Sequence, residues 1–197
     1  MVFAVPQRIL LICLLHFCTC AVGQTVNQRT LMNIVRNFEN QLGSLGQYAV
    51  AFRVERDRCE DSSYSGQELI TQQVKQTLQR NEVYVSGTLI AAAQNGKEHS
   101  EYRLKNYLKN ILNAQDECVG FFTVNSPCLK TCLAESGPYS VKDSLVLLNK
   151  YAGIKAFAFK KIWKYDKKEE VIRRLKGIAS ALPYYQCEKN KATCDPL

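Results

Sequence analysis

Histidine is almost missing from this chain. Of 197 residues only two are histidine, and one of them, His16, lies in an apolar stretch at the N-terminus. Any imidazole chemistry in the remainder must therefore come from His99. No Asn-x-Ser/Thr acceptor occurs, since Asn125-Ser126-Pro127 carries proline after the serine, which excludes N-linked glycosylation. Internal repeats, low-complexity tracts and proline-rich linkers are also missing, which argues against a repeat array or domains strung on tethers and for a single domain. After the N-terminal stretch, no apolar run is long enough to span a bilayer.

That N-terminal stretch reads as a secretory signal. Arg8 supplies the positive end, Ile9 to Phe17 are almost all apolar, and Ala21, Val22 and Gly23 form a small-residue cleavage pattern. The expected domains are a signal peptide over 1–23 and one domain over 24–197, secreted, extracellular and free of membrane once the signal is removed. The 174 remaining residues can bury a substantial core. Six cysteines stay with them: Cys59, Cys118, Cys128, Cys132, Cys187 and Cys194. In a secreted chain the default is three disulfides. Charge is uneven. Residues 24–141 carry 12 basic and 12 acidic side chains, whereas 142–197 carry 13 basic and 6 acidic ones. A basic C-terminal third suits a polyanion such as nucleic acid, with acidic glycans or simple solubility as the alternatives.

Hydrophobic spacing predicts a helix over 25–43, where Leu31, Ile34, Val35 and Phe38 share a face, and a strand over 47–54. Residues 56–65 read as a polar turn and 67–79 as a helix. A strand is expected over 83–93, interrupted only by Gly87, and a loop over 94–98. An amphipathic helix over 99–115, a buried strand over 118–124 and a helix opening at Pro127 come next. Gly137-Pro138 ends that helix, and a helix over 141–151, a strand over 154–162 and a helix over 167–182 complete the order. The alternation of strand and helix from Val83 onward predicts an α/β fold of three α/β/α layers on a mixed, mostly parallel sheet. The strands at 47–54 and 83–93 are expected to pair as a hairpin at one edge.

One constellation carries chemistry. His99-Ser100-Glu101 follows a strand and opens a helix, and 25 residues separate Glu101 from Pro127-Cys128-Leu129-Lys130-Thr131-Cys132. One imidazole and two thiolates satisfy Zn2+ and leave a fourth position for a water of lowered pKa. Cys128 and Cys132 are four apart, so on a helix both thiols face one side, and the helix N-terminus favours thiolate. A disulfide across that spacing would be strained. Glu101, two residues beyond the histidine, is placed to move protons.

The H-x-E and P-C-x3-C pair resembles the zinc-dependent cytidine deaminase superfamily over roughly residues 83–182. Within it the sequence Phe121-Phe122-Thr123-Val124-Asn125-Ser126-Pro127-Cys128 is most similar to the AID/APOBEC polynucleotide cytidine deaminases, and Phe157 to Lys176 looks like their fourth strand, substrate loop and following helix. A signal peptide is unusual there and points to the secreted AID/APOBEC-like deaminases of vertebrates. The resemblance implies a cytidine-deaminase-like fold, Zn2+ on His99, Cys128 and Cys132, and Glu101 as catalytic proton shuttle. It implies substrate contacts from Ser126, from Asn95 (with Gln94 equally close in register) and from Trp163 and Tyr165, which sit among Lys160, Lys161 and Lys164. The implied reaction is deamination of cytosine in single-stranded DNA or RNA. Free nucleosides or nucleotides, and a non-catalytic zinc protein that binds nucleic acid, are the alternatives. Two departures stand out. Asn125 replaces the tryptophan that precedes Ser-Pro-Cys, and only 178–186 is left to supply a fifth strand. With two cysteines on the metal, three pairings of the other four are open, of which we favour Cys187–Cys194 with Cys59–Cys118.

Overall fold

The structure is a computed structural model that describes residues 25–114 and 117–197. The expected signal peptide lies outside the described residues. The elements in chain order are α1 (Gln28–Leu42), β1 (Tyr48–Val54), α2 (Arg56–Glu60), α3 (Gln72–Gln79), β2 (Tyr84–Val85), β3 (Leu89–Ala93), α4 (Ser100–Arg103), β4 (Cys118–Asn125), α5 (Lys142–Lys150), β5 (Ile154–Lys161), α6 (Lys168–Ile178), β6 (Tyr184–Gln186) and β7 (Asp195–Pro196). Among the described residues no helix is long and apolar enough to cross a membrane.

The seven strands form one mixed sheet in the order β2-β3-β1-β4-β5-β6-β7. Strand alternation sends neighbouring side chains to opposite faces, and each face has its own core. Leu31, Ile34, Val35 and Phe38 of α1, with Val74 and Leu78 of α3, pack on Val50, Phe52, Phe122 and Ala156. Leu104, Leu145, Leu148, Val171 and Leu175 pack on Ala49, Ala51, Phe121 and Phe157 from the other side. The expected three-layer α/β/α architecture is thus present. Parallel pairing is confined to β4–β5 and β5–β6, and the other four pairs are antiparallel, so the sheet is less parallel than the alternation of elements suggests. β1 does pair antiparallel with β3, but it lies inside the sheet between β3 and β4 and not at an edge. The short fifth strand expected within 178–186 is β6, parallel to β5.

Four local expectations are corrected. The run 83–93 is a hairpin and not one strand: Ser86 N–H donates to the Leu89 carbonyl and its Oγ accepts from Leu89 N, which turns the chain at Gly87-Thr88. The polar stretch after β1 contains the helical turn α2, which buries Cys59. The segment 67–79 splits into a 3-10 turn and α3, whose first turn is capped by Thr71 Oγ1 accepting from Val74 N. The long helix expected over 99–115 is only α4 followed by turns, with Tyr107, Asn110 and Ile111 donating to carbonyls three residues back. Its apolar positions Leu104, Leu108 and Ile111 are fully buried as the pattern requires. Three-residue and four-residue bonding place nearly the same side chains inward, and periodicity does not separate them.

Both favoured cystine pairs are formed. Cys59–Cys118 ties α2 to the first residue of β4, and Cys187–Cys194 closes the loop between β6 and β7. Cys128 and Cys132 are free and buried.

A candidate metal centre at one edge of the sheet

The carboxyl ends of β3, β4 and β5 and the start of antiparallel β1 share one edge of the sheet. In α/β sheets that edge, where loops leave the strands, is where ligands bind. Gln94 and His99 follow β3, Ser126 and Cys128 follow β4, Trp163 follows β5, and Gln47 precedes β1. Together with Glu101 and Asn125 they line one pocket, with room for about one water molecule.

His99 is the residue before α4, and the alanines beneath that helix, Ala49 and Ala51 of β1 and Ala92 of β3, are all fully buried. Small side chains there let the His99–Glu101 segment lie close to the sheet. The cysteines reach the same place by a route other than the expected helix. Residues 129–133 form turns, Leu133 N donates to the Cys128 carbonyl five residues back, and Val141 N donates to that of Cys132. A five-residue return is wider than an α-turn, and the chain does not propagate as helix beyond it. The helix expected to open at Pro127 accordingly does not form. The thiols meet nonetheless, with their sulfurs 3.6 Å apart.

His99 Nδ1 stands 3.1 Å from Cys132 Sγ and 3.8 Å from Cys128 Sγ. Ligands placed tetrahedrally around zinc at ordinary bond lengths would lie about 3.5–3.8 Å from one another. The three donor atoms thus have the chemistry and nearly the spacing of one metal's ligand set, and they could hold a metal ion. Among the described residues this is the one such cluster of histidine, cysteine and carboxylate groups.

The charge balance around the cluster follows from its hydrogen bonds. The Cys128 thiol is drawn down to about 3, first by its hydrogen bond with Cys132 and then by those with His99 and Thr131, whose Oγ1 is 2.7 Å from the sulfur. Cys132 is pushed up by the same shared bond and by burial. His99 is pushed up by its bond to Cys128 and, less, by the Glu101 charge, with burial opposing. Glu101 is 2% exposed, and burial raises its carboxyl above the usual carboxylate range. One of its oxygens accepts from Ser100 Oγ at 3.1 Å, and the other lies 3.5 Å from Cys132 Sγ.

The remaining expected contacts divide. Ser126 lines the pocket, but its Oγ accepts from the Trp163 backbone N–H at 3.0 Å, so it also anchors the loop after β5. Trp163 lines the pocket. Tyr165 does not; it is 73% exposed, edge-on to Trp163, with Lys164 Nζ 4.7 Å from its ring centre. Asn95 is exposed in a tight turn that pairs it with Glu98, and its neighbour Gln94 lines the pocket instead. Two residues went unnoticed in the sequence. Gln47 faces the pocket from just before β1, about fifty residues before the motif. Asp166 accepts from Leu129 N at 2.9 Å and thereby fastens the loop after β5 to the cysteine loop. Neither lies in a recognisable motif, and only strand pairing and loop docking bring them to the site.

A three-layer α/β/α fold on a mixed sheet, with a histidine–cysteine–cysteine cluster and a buried carboxylate at the carboxyl ends of β3 and β4, fits the cytidine-deaminase-like class. The family model described as Secreted Novel AID/APOBEC-like Deaminase 1 matches residues 28–196, and the chain belongs to that family. Searches of curated proteins and of solved structures each gave no match.

Proposed function

We propose that this protein is a secreted zinc enzyme that hydrolyses cytosine to uracil, with release of ammonia, in single-stranded nucleic acid. The observation that carries the reading is the position of Glu101, a buried carboxyl with a raised pKa, in the same pocket as His99 and Cys128 and 3.5 Å from Cys132 Sγ. A closed structural metal site has no use for such a group. Zinc held by those three residues would supply a water that ionises near neutral pH.

The chain's own residues supply the rest. Glu101 takes one proton from the attacking water and gives it to the ring nitrogen, then takes the remaining hydroxyl proton and gives it to the leaving amine, work that suits a carboxyl whose pKa burial raises. Ser100 holds one Glu101 oxygen in place by its hydroxyl. Trp163 offers an aromatic wall, and the exposed Tyr165 with Lys164 over its ring offers a stacking surface beside positive charge, as unpaired nucleotides require. Lys161, at the end of β5, and Lys167, in the loop that follows, are exposed. Secretion rests on the family description, the N-terminal sequence and the two disulfides.

A free cytidine deaminase is the second reading, favoured by the amide wall of Gln47 and Asn125 where related enzymes have an aromatic ring. It requires that oligonucleotide fail to inhibit cytidine turnover. The main test uses residues 24–197 secreted from a eukaryotic host, incubated with a cytosine-containing single-stranded oligonucleotide, with uracil read by mass spectrometry. Glu101→Ala should lower the rate by about 10²–10⁴-fold while retaining zinc. A wild-type protein holding one zinc per chain that forms no uracil would overturn the reading.

A further inference from the structure

Asn125 Nδ2 donates to Gln47 Oε1 at 2.6 Å, and Gln47 Nε2 donates to the buried Thr123 Oγ1 at 3.3 Å. The alignment has a simple origin. β1 pairs antiparallel with β4 in a register that sets Ala49 against Thr123, and continuing it two residues outward sets Gln47 against Asn125. Both strands are anchored in the core, and Gln47 is further held where its carbonyl accepts from Gln94 N. The amide chain is thus fixed before any ligand arrives. It spends one donor of each side chain and leaves the other N–H of Gln47, the other N–H of Asn125 and the Asn125 carbonyl available. Gln47 and Asn125 both line the pocket beside Glu101 and Cys128, and the space there admits little more than a water molecule. A base that enters must touch these amides.

On this basis we infer that Gln47, held by Asn125 and Thr123, is a specificity-determining residue that recognises the target pyrimidine by hydrogen bonds from an amide wall. This assignment rests on the reading that the pocket takes a cytosine of single-stranded nucleic acid. An apolar or aromatic wall recognises a base by area and tolerates the loss of its polar groups. A wall of fixed amides does not, because a ligand without polar partners leaves them desolvated and unpaired.

The test is binding to catalytically silent protein, so that it stands apart from turnover. Glu101→Ala and Glu101→Ala/Gln47→Leu proteins, zinc-loaded, are titrated by fluorescence anisotropy with three oligonucleotides identical except at one position. That position carries deoxycytidine, a 2,4-difluorophenyl nucleoside close to it in shape but without its hydrogen-bonding groups, or an abasic site. With Gln47 present, deoxycytidine should bind about tenfold more tightly than its isostere. With Gln47→Leu, which keeps side-chain volume, that preference should vanish while affinity for the abasic strand is unchanged. Gln47→Ala in the same background should repeat the result, and unfolding midpoints within a few degrees of the parent would exclude misfolding. An equal preference for deoxycytidine with and without Gln47, or no preference in either, overturns the inference. Uracil formation by the wild type decides the reaction separately: a protein that makes uracil but ignores Gln47→Leu retains the function and loses the wall.

Discussion

At the scale of single residues, Cys132 is the hub of the site. It is fully buried, and its sulfur lies within 3.9 Å of His99 Nδ1, Cys128 Sγ, Thr131 Oγ1 and a Glu101 oxygen. Thr131 acts one step further out, through Cys128. These roles predict a graded loss of metal affinity, measured by competition with a chelating dye. Cys132→Ser should weaken zinc binding by more than about 100-fold, and Thr131→Val by about tenfold, the usual cost of removing a hydrogen bond to a ligand. Wild-type affinity in Cys132→Ser would show that this sulfur is not a ligand. His99, Glu101, Cys128 and Cys132 were legible in the sequence because their spacing is itself the chemical signal. Gln47 and Asp166 were not, because a glutamine before a strand and an aspartate in a basic loop are ordinary until register and docking place them.

At the scale of elements, the pairing of β1 with β4 decides both the site and the core. The register that brings Gln47 to Asn125 also sets Phe52 opposite Gly120. The Phe52 ring crosses that glycine and meets Phe38 of α1 edge-on, with ring centres 5.5 Å apart. A Cβ at Gly120 would lie 2.2 Å from the Phe52 ring. Gly120→Ala should therefore cost about 3 kcal/mol, read as a lowered denaturant midpoint with unchanged slope. A variant as stable as the parent would mean that the ring does not cover the glycine. The strong helix α1 and the strands β1, β4 and β5 follow the hydrophobic periods closely. The shorter elements do not, since Gly87 admits a hairpin inside an apolar run and three-residue bonding mimics an amphipathic helix after His99. Pro127, a favoured helix opener, instead leads into a wide turn that keeps both cysteines at the sheet edge.

At the scale of the whole molecule, two separate cores clamp the sheet, one disulfide ties α2 to the central strand β4, and the other closes the loop between β6 and β7. Cys59–Cys118 closes a loop of 59 residues, the kind of constraint that most reduces the freedom of an unfolded chain. Four tyrosines contribute a pH limit. Burial raises the hydroxyl pKa of Tyr48, Tyr184 and Tyr185, and that of Tyr64 to about 12 with help from Glu68. In the unfolded chain all four ionise near 10. Below that pH both states are protonated and stability is intact. As pH rises through 10 toward the folded-state values, the unfolded chain loses protons that the folded one keeps, and stability falls. Unfolding midpoints should thus decline steeply above about pH 10, with tyrosinate absorbance from these residues appearing together with loss of structure. Full tyrosine ionisation in a protein that stays folded would contradict their burial.

The sequence by itself determined the layered α/β class and the spacing that singles out His99, Glu101, Cys128 and Cys132, and it favoured, among three open pairings, the two disulfides that form. Each of these depends on local spacing, periodicity or residue type, which a linear chain displays. The tertiary structure alone decided that β1 lies inside the sheet, that the sheet is parallel only from β4 to β6, and that Gln94 lines the pocket in place of Asn95. It also placed Gln47 against Asn125. Those outcomes depend on register between strands far apart in the chain, where a shift of one residue sends every side chain to the opposite face.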